Sequence, residues 1–283
     1  MSSQVSSLRE SASTSEAMIA IVFMKDGDSD CLSPISLALR QSWPGSSIDV
    51  SENDENRPLF VFYDSTLGGS VMFMDAQAPL GEGDPRIRNA WFWPTAWKEL
   101  SQHRSHIIVT IFGGGSGKQK ALALQRMLQL ILTSIPSAIG VVSLSSGALL
   151  PTSMVLPLVE KDTEVAIPIF VSCLFATENP SRFPKPSIFC STEGLMNFGL
   201  KNIEARGYPG TIPDLHEFML AFAAHLIEHE ANVADGDTVG STEQKILVKI
   251  EKSLFRESQV YSLYFQGMTW RAKLWRFLFG NRP

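Results

Sequence analysis

Runs of apolar residues separated by short polar turns predict alternating strands and helices in the first half of the chain. Four runs have the length and composition of strands: residues 17–24, 59–63, 71–74 and 107–112. Leu32, Ile35 and Leu39 repeat with helical spacing around Ser33-Pro34, which suits the start of a helix. A second short helix is expected to end near residue 102. The predicted order is therefore β-α-β-β-α-β, which is the order of ferredoxin-like folds.

The second half of the chain repeats this predicted order. A helix over residues 118–133 connects the halves, because its apolar residues share one face. After it, a helix is predicted at residues 152–160 and a short one near Leu195, and strands are predicted at 138–144, 166–175, 187–190 and around Ile203. The predicted fold class is α+β, with two ferredoxin-like (βαββαβ) halves and appended C-terminal helices and strands.

The remaining apolar residues predict a long helix and two strands, and the chain divides into four predicted parts. A long helix over about residues 212–230 carries an apolar stripe of Leu215, Phe218, Met219, Phe222 and Leu226, and two strands follow at 246–255 and 259–265. The predicted parts are a Ser-rich disordered leader (1–16), an N-terminal half (17–135), a C-terminal half with an added helix and strands (136–265) and a basic amphipathic helix (266–283).

Composition narrows the class of protein. The chain has 283 residues, of which 44% are hydrophobic and 19% charged, so it can bury a large core. Its net charge of -5 gives no reason to expect a nucleic-acid partner. Cys31, Cys173 and Cys190 are odd in number and widely spaced, which suits a reducing compartment. No apolar run is long enough to span a bilayer, and the first residues are not a secretory signal. A cytoplasmic location is predicted.

Short motifs between residues 187 and 240 resemble a known family. They are residues 192–195 (Thr-Glu-Gly-Leu), 198–200 (Phe-Gly-Leu), Glu204 and 235–240 (Asp-Gly-Asp-Thr-Val-Gly), and the segment 97–109 with its Trp-x-x-x-x-x-His-Arg-x-His pattern is similar. Together they resemble the bacterial family catalogued as domain of unknown function 4261, over roughly residues 17–265. The resemblance implies a bacterial cytoplasmic domain with no settled catalytic residues. Some members occur near genes for secreted toxins and contact-dependent competition.

A glycine-rich segment, residues 112–118, lies between a predicted strand and a predicted helix, where phosphate-binding loops occur. The Walker pattern requires glycine where this chain has Phe112, and serine or threonine where it has Gln119. The segment is therefore interpreted as a turn.

The long helix contains the sequence that most suggests a metal site. His225, Glu228 and His229 match the H-x-x-E-H pattern of some zinc hydrolases, in which histidines four residues apart share a helix face. The helical wheel argues against this reading, since His229 falls within the arc of the buried stripe and Glu228 points elsewhere. We therefore predict neither a metal nor another cofactor, with a metal-dependent hydrolase as the alternative.

Tryptophans supply the candidate interaction residues. Trp91, Trp93 and Trp97 cluster before a predicted strand, and tryptophan is a common anchor of protein interfaces as well as a core residue. Trp270, Trp275 and Phe277 lie in the C-terminal segment.

The C-terminal segment, residues 268–283, differs from the rest of this acidic chain. It carries four basic residues and no acidic one, and its aromatic and leucine residues share one helical face. Such a helix suits the surface of an anionic membrane, but it equally suits packing on the chain's own core or in a dimer. A peripheral position at the inner membrane is therefore an alternative prediction.

The function expected from these features is that of a non-enzymatic protein-interaction domain. Its unidentified partner would be a protein, and toxin neutralisation (an immunity-like role) or effector escort fits the family resemblance. A metal-dependent hydrolase centred on the H-x-x-E-H helix and a peripheral membrane protein anchored by residues 268–283 are the alternatives.

Overall fold

The computed structural model describes residues 17–27, 32–43, 47–49, 59–63, 66–161, 163–178, 187–231, 233–241 and 244–265. Within these residues two β-sheets and several helices share one large hydrophobic core. The leader (1–16) and the segment 266–283, with Trp270, Trp275 and Phe277, lie outside the described residues.

The first sheet has seven strands, and every neighbouring pair is antiparallel. The strands are β1 (Met18–Met24), β2 (Ser47–Asp49), β3 (Leu59–Phe62), β4 (Leu67–Met74), β5 (Ser105–Gly113), β6 (Ala138–Ser143) and β7 (Leu149–Pro151). Their order across the sheet is β2-β3-β4-β5-β1-β6-β7.

The second sheet has six strands: β8 (Ser172–Thr177), β9 (Ile188–Glu193), β10 (Ile203–Tyr208), β11 (Thr238–Ser241), β12 (Gln244–Lys252) and β13 (Gln259–Tyr264). Their order is β11-β12-β13-β10-β9-β8. The pair β10–β13 is parallel, and the other pairs are antiparallel.

The helices are α1 (Leu32–Ser42), α2 (Pro85–Asn89), α3 (Ala96–Leu100), α4 (Gly117–Ser134), α5 (Thr152–Val159), α6 (Ile167–Phe170) and α7 (Ile212–His229), with a 3₁₀ helix at Leu195–Phe198. Strand alternation divides β1 between two cores: Ala20 and Val22 face the large core, and Phe23 faces a smaller one that includes Ala96 and Leu100 of α3. The first sheet is therefore covered on both faces.

Helix α7 contributes its predicted apolar stripe to the large core, where all five stripe residues are buried. Thr211 caps its start by accepting a hydrogen bond from the N–H of Asp214 at 3.4 Å, and Pro213 occupies the first turn. The stripe, the helix and its start were all correctly predicted from the sequence.

The predicted α+β class is confirmed, and several strands lie where the apolar runs placed them. The finer prediction of two ferredoxin-like halves is not confirmed. β5 lies between β4 and β1, and β6 pairs with β1, so strands expected in the second half extend the first sheet. Hydrophobic periodicity predicts that a segment is a strand, but it does not specify the pairing partner.

The long strand predicted at residues 166–175 is wrong in its first part. Residues Ile167–Phe170 form the short helix α6, with Pro168 in its first turn, and β8 begins at Ser172. Proline lacks the N–H that a strand ladder needs, but it is well suited to the start of a helix.

The glycine-rich segment is a turn that leads into a capped helix, as its sequence predicts. The side chain of Ser116 accepts a hydrogen bond from the N–H of Gln119 at 3.2 Å, and Gln119 accepts one from the N–H of Ser116 at 2.7 Å. Gly117 then packs against the 3₁₀ helix, where a Cβ would overlap the carbonyl oxygen of Asn197.

We expect Gly117→Ala to lower the free energy of unfolding by about 2 kcal/mol, because the added methyl group forces backbone apart in a packed contact. Gly81→Ala is the matched control, since a Cβ at Gly81 meets nothing within 4 Å. Urea unfolding of both variants measures the difference. Equal stabilities of the two variants would show that the contact between α4 and the 3₁₀ helix is not tight.

Candidate functional site

A pocket with mostly apolar walls lies where the two sheets meet. Its cavity volume is about 90 Å³. The walls come from residues that follow α2, from β7 of the first sheet, from β8 of the second sheet, and from the helices α5, α6 and α7. We call it the Trp91 pocket. Its position fits the general tendency of binding sites to form between structural units.

Aromatic rings form one side of the Trp91 pocket. Trp91 lies 5.7 Å from Phe92 and 5.6 Å from His216 between ring centroids, and both contacts are edge-to-face. Phe175 also contacts the His216 ring, at 6.2 Å. Trp91 keeps 39% of its surface exposed despite these contacts. The Trp91 ring therefore packs against neighbouring rings and is also partly exposed to solvent.

His216 adds little charge to this wall. Burial lowers the pKa of its imidazole below the ordinary value, so the ring is uncharged at neutral pH. The aromatic side of the pocket therefore favours an apolar occupant at pH 7.

The wall of the pocket also contains a fixed guanidinium group. Asp84 caps α2 by accepting a hydrogen bond from the N–H of Arg86 at 2.9 Å. The same carboxylate accepts from Nε and Nη2 of Arg86 at 2.8 and 2.6 Å. The side-chain hydrogen bonds from Arg86 hold the pKa of Asp84 below its ordinary value. The pair is bidentate, which orients Arg86 at the pocket wall without using its Nη1.

The described tryptophans of the predicted interaction cluster have separate environments. Trp91 lines the pocket, whereas Trp93 is only 6% exposed and belongs to the smaller core. A Cβ at Gly140 would lie 2.7 Å from the Trp93 ring, so this indole fills space left by a glycine. Trp97 is half-buried.

Sequence reasoning did not identify several pocket residues. Met154, Ser172, Cys173 and His216 line it together with Trp91, although they are far apart in the sequence. No local motif connects them, since the pocket exists only where the sheets meet. The one available signal was His216 itself, which lies beside the apolar stripe of α7.

The histidines of the H-x-x-E-H pattern lie on the solvent face of α7. His225, Glu228 and His229 are all exposed, and the two imidazole rings are 4.8 Å apart. The placement of His229 within the buried arc was wrong, because α7 ends at this residue and Glu230 takes a left-handed conformation. Among the described residues no group of three or more His, Cys, Asp and Glu side chains is arranged to hold a metal ion.

We expect His225→Ala to leave the metal content of the purified protein unchanged, because an exposed histidine pair offers too few ligands for a closed zinc site. Elemental analysis of both proteins by mass spectrometry measures this. Stoichiometric zinc that is present in the wild type and absent from the variant would show that His225 binds a metal ion.

A buried carboxylate lies on the outer face of the second sheet, which is the face opposite the large core. Ile203 and Ala205 of β10 point into that core, so Glu204 and Arg206 alternate to the outer face. Glu204 is fully buried, and Arg206 Nη2 donates to its Oε2 at 2.8 Å. Burying this charge is favourable only when it is well paired.

Glu204 also fixes the turn between β12 and β13. Its Oε1 accepts a hydrogen bond from the hydroxyl of Ser253 at 2.5 Å, and the N–H of Leu254 lies 3.2 and 3.3 Å from its two oxygens. The Ser253 hydroxyl in turn accepts from the N–H groups of Phe255 and Arg256, both at 3.1 Å. The turn backbone is therefore held by a buried charge.

Residues 253–258 form this turn, which we call the hairpin tip, and it presents two apolar side chains to solvent. Leu254 is 47% exposed and Phe255 is 68% exposed. The Phe255 ring contacts the buried Phe189 ring edge-to-face at 5.2 Å. The Arg256 guanidinium group pairs with Glu193 of β9. The tip is thus fastened to the sheet at several points.

Arg206 extends the network to the neighbouring strands. Its Nη1 lies 2.8 Å from Oε1 of Glu251, which also accepts a hydrogen bond from the Tyr264 hydroxyl at 2.6 Å. Burial alone would raise the pKa of Glu251, but the Tyr264 hydrogen bond and the charge of Arg206 bring it below its ordinary value. Glu251 is therefore ionised at neutral pH. Its contribution to stability is lost as the pH falls through that lowered pKa.

We expect Glu204→Gln to lower the free energy of unfolding by about 3 kcal/mol, because it removes the fully buried one of the two carboxylate charges that compensate the largely buried Arg206. Glu164→Gln is the matched control, since it breaks an exposed ion pair with Lys161 and should change stability by less than about 0.5 kcal/mol. Chemical denaturation of both variants tests this. Equal effects in the two variants would mean that the buried network does not stabilise the fold.

Taken together, the two sheets, their shared core and the Trp91 pocket define an α+β protein with a pocket at the junction of its sheets. Residues 191–264 match the model of the family described as Domain of unknown function (DUF4261). The match confirms the resemblance seen in the sequence, over a shorter span than residues 17–265. It contains Glu204 and the hairpin tip. No curated protein and no solved structure matches the chain significantly.

None of the described helices is both long enough and apolar enough to cross a bilayer.

Proposed function

We propose that the chain is a non-enzymatic protein-interaction domain, and that its partner inserts an apolar side chain into the Trp91 pocket. The observation that carries this proposal is the partial exposure of Trp91 at an apolar pocket. Tryptophan is among the residues that contribute most to binding energy at interfaces. A large aromatic residue that stays open to solvent beside a cavity is typical of such an anchor.

The shape and chemistry of the pocket support a protein partner over a large organic ligand. The cavity of about 90 Å³ has room for one side chain rather than for a cofactor. Arg86 and Asn89 at its wall provide donors for carbonyl or carboxylate groups that flank such a side chain. These features fit a short segment of polypeptide with one apolar anchor.

The family resemblance suggests the class of partner. Since some family members occur near genes for secreted toxins, a bacterial toxin or effector is the first candidate, and the protein would neutralise or escort it in the cytoplasm. The hydrolase alternative lacks support from the exposed positions of His225, Glu228 and His229. The membrane alternative depends on residues 268–283, which lie outside the described residues.

The test is a comparison of affinities with a matched control. The neighbouring gene products are purified, and their binding to the wild type, Trp91→Ala and Leu37→Ala is measured by calorimetry. Leu37 is 59% exposed on α1 and does not line the pocket. We expect Trp91→Ala to weaken binding about 30-fold, as for the loss of an interface hot spot, and Leu37→Ala to leave it unchanged.

Two results would count against this function. One is a partner that binds Trp91→Ala as tightly as the wild type. The other is a reproducible catalytic activity of the purified protein together with no binding to any neighbouring gene product.

A further inference from the structure

Strand β8 forms one outer edge of the second sheet and lacks the features that usually block such an edge. The other outermost strands in the described part of the chain are short: β2 has three residues, β7 has three and ends at Pro151, and β11 has four and includes Gly240. β8 has six residues, with the sequence Ser-Cys-Leu-Phe-Ala-Thr, and none of them is charged, proline or glycine. Short length, charges and prolines are the common protection of sheet edges against a further strand. Within the described residues, β8 is therefore the edge most open to pairing.

The register of the β8–β9 pair identifies which backbone groups of β8 are free. Directly after β8, the N–H of Glu178 donates to the carbonyl oxygen of Ser187 at 3.0 Å, so these opposite residues form a hydrogen-bonded pair. Along antiparallel strands such pairs alternate with pairs that are not hydrogen-bonded. The even-numbered residues of β8 therefore bond to β9, whereas the N–H and C=O groups of Cys173, Phe175 and Thr177 point to the other side. No described residue accepts a hydrogen bond from these three N–H groups.

We call this side of β8, from Cys173 to Thr177, the β8 edge, and the Trp91 pocket lies at its start. Ser172 and Cys173 line the pocket, whereas the later residues of β8 do not. The end of the strand is open to solvent instead, since Ala176 and Thr177 are exposed. An extended segment that pairs with the exposed end of β8 is therefore directed along the strand to the pocket.

The free groups of the β8 edge specify the chemistry of what binds there. Backbone donors and acceptors that alternate at strand spacing are matched by the backbone of another extended polypeptide. A helix does not match them, because its own N–H and C=O groups are already paired within it. The edge therefore selects a strand, and the apolar pocket selects one of the side chains that this strand carries.

We infer that an extended segment of a partner protein adds to the β8 edge as a seventh strand of the second sheet and places an apolar side chain in the Trp91 pocket. This inference rests on the proposed function of the pocket, because it specifies how the partner at that same site binds. In strand addition the main-chain hydrogen bonds supply affinity for many sequences, and a side-chain pocket supplies the specificity.

Thr177 allows a substitution that removes an edge donor without altering the pocket or the β8–β9 hydrogen bonds. Thr177→Pro deletes the outward N–H and places the proline ring on the free side, which is where strands tolerate proline. Thr177→Val is the matched control, because it keeps both the N–H and the β-branched shape. Thermal unfolding of both variants checks that the fold is retained, which is expected because Thr177 is exposed.

The probe is a phage-displayed library of short peptides of random sequence, selected on the full chain. The selected peptides are synthesised, and calorimetry measures their dissociation constants for the wild type and the variants. We expect Thr177→Pro and Trp91→Ala each to weaken binding about 10-fold or more, and Thr177→Val to leave it unchanged.

Methylation of the peptide backbone provides a second readout that a pocket without strand pairing does not explain. In an added strand only alternate N–H groups face β8, and the others face solvent. Methyl groups on the alternate nitrogens of one register should therefore abolish binding, whereas methyl groups on the other register should have little effect.

Three results would overturn the inference. The first is a selection that yields no binding peptide, and the second is a set of peptides that bind Thr177→Pro as tightly as the wild type. The third is a dimer of the chain, seen in sedimentation velocity, that Thr177→Pro abolishes, because the occupant of the β8 edge would then be a second copy.

The two substitutions separate this inference from the proposed function. Peptides weakened by Trp91→Ala but not by Thr177→Pro would leave the pocket as an interaction site and refute strand addition alone. Peptides weakened by Thr177→Pro but not by Trp91→Ala would support strand addition and refute the proposed role of the pocket.

Discussion

Burial of one face of each sheet in the same hydrophobic core is the constraint on which the rest of this structure depends. Residues from the first sheet, such as Val22 and Val109, and residues from the second, such as Ala205 and Leu263, belong to one continuous cluster. Helix α7 adds its apolar stripe to that cluster. Since apolar burial is the main favourable term in folding, neither sheet is expected to be stable without the other. The Trp91 pocket is a consequence of this arrangement, because short strands and helix ends meet there without filling the space.

The two sheets cover the faces opposite the large core in different ways. The first sheet covers its second face with α3 and the Trp93 ring, which form an apolar layer. The second sheet instead places Glu204 and Arg206 on its outer face and covers Glu204 with the hairpin tip. Ionic groups stabilise such a face less than apolar packing does, but they specify geometry closely, because every charge needs its partner in place. The backbone of the tip is accordingly held by hydrogen bonds to Glu204 and Ser253, although two of its side chains are apolar and exposed.

The sequence allowed reliable prediction where a local pattern determines local structure. The apolar runs that form β1, β3 and β5 and the stripe of α7 were identified because alternation and helical spacing are properties of adjacent residues. The predicted grouping of the strands into two ferredoxin-like halves is not confirmed, since pairing depends on distant segments. The pocket was missed for the same reason, although Trp91 itself was noticed. Glu204 was noted as part of a motif, but nothing in its neighbours indicates that this carboxylate is buried.

The parallel pairing of β10 with β13 has a consequence for how the family segment relates to the rest of the chain. Ser191 of β9 lies beside Glu204 of β10, which lies beside Ser262 of β13. The segment 191–264 therefore begins and ends within about two strand spacings, on the order of 10 Å, although α7, β11 and β12 lie between. The same segment also packs on the first sheet, since Ala205 and Leu263 belong to the cluster that contains Val22 and Val109. The parallel pair therefore closes the family segment on itself in space, while the burial of its apolar face still requires the sheet that precedes it.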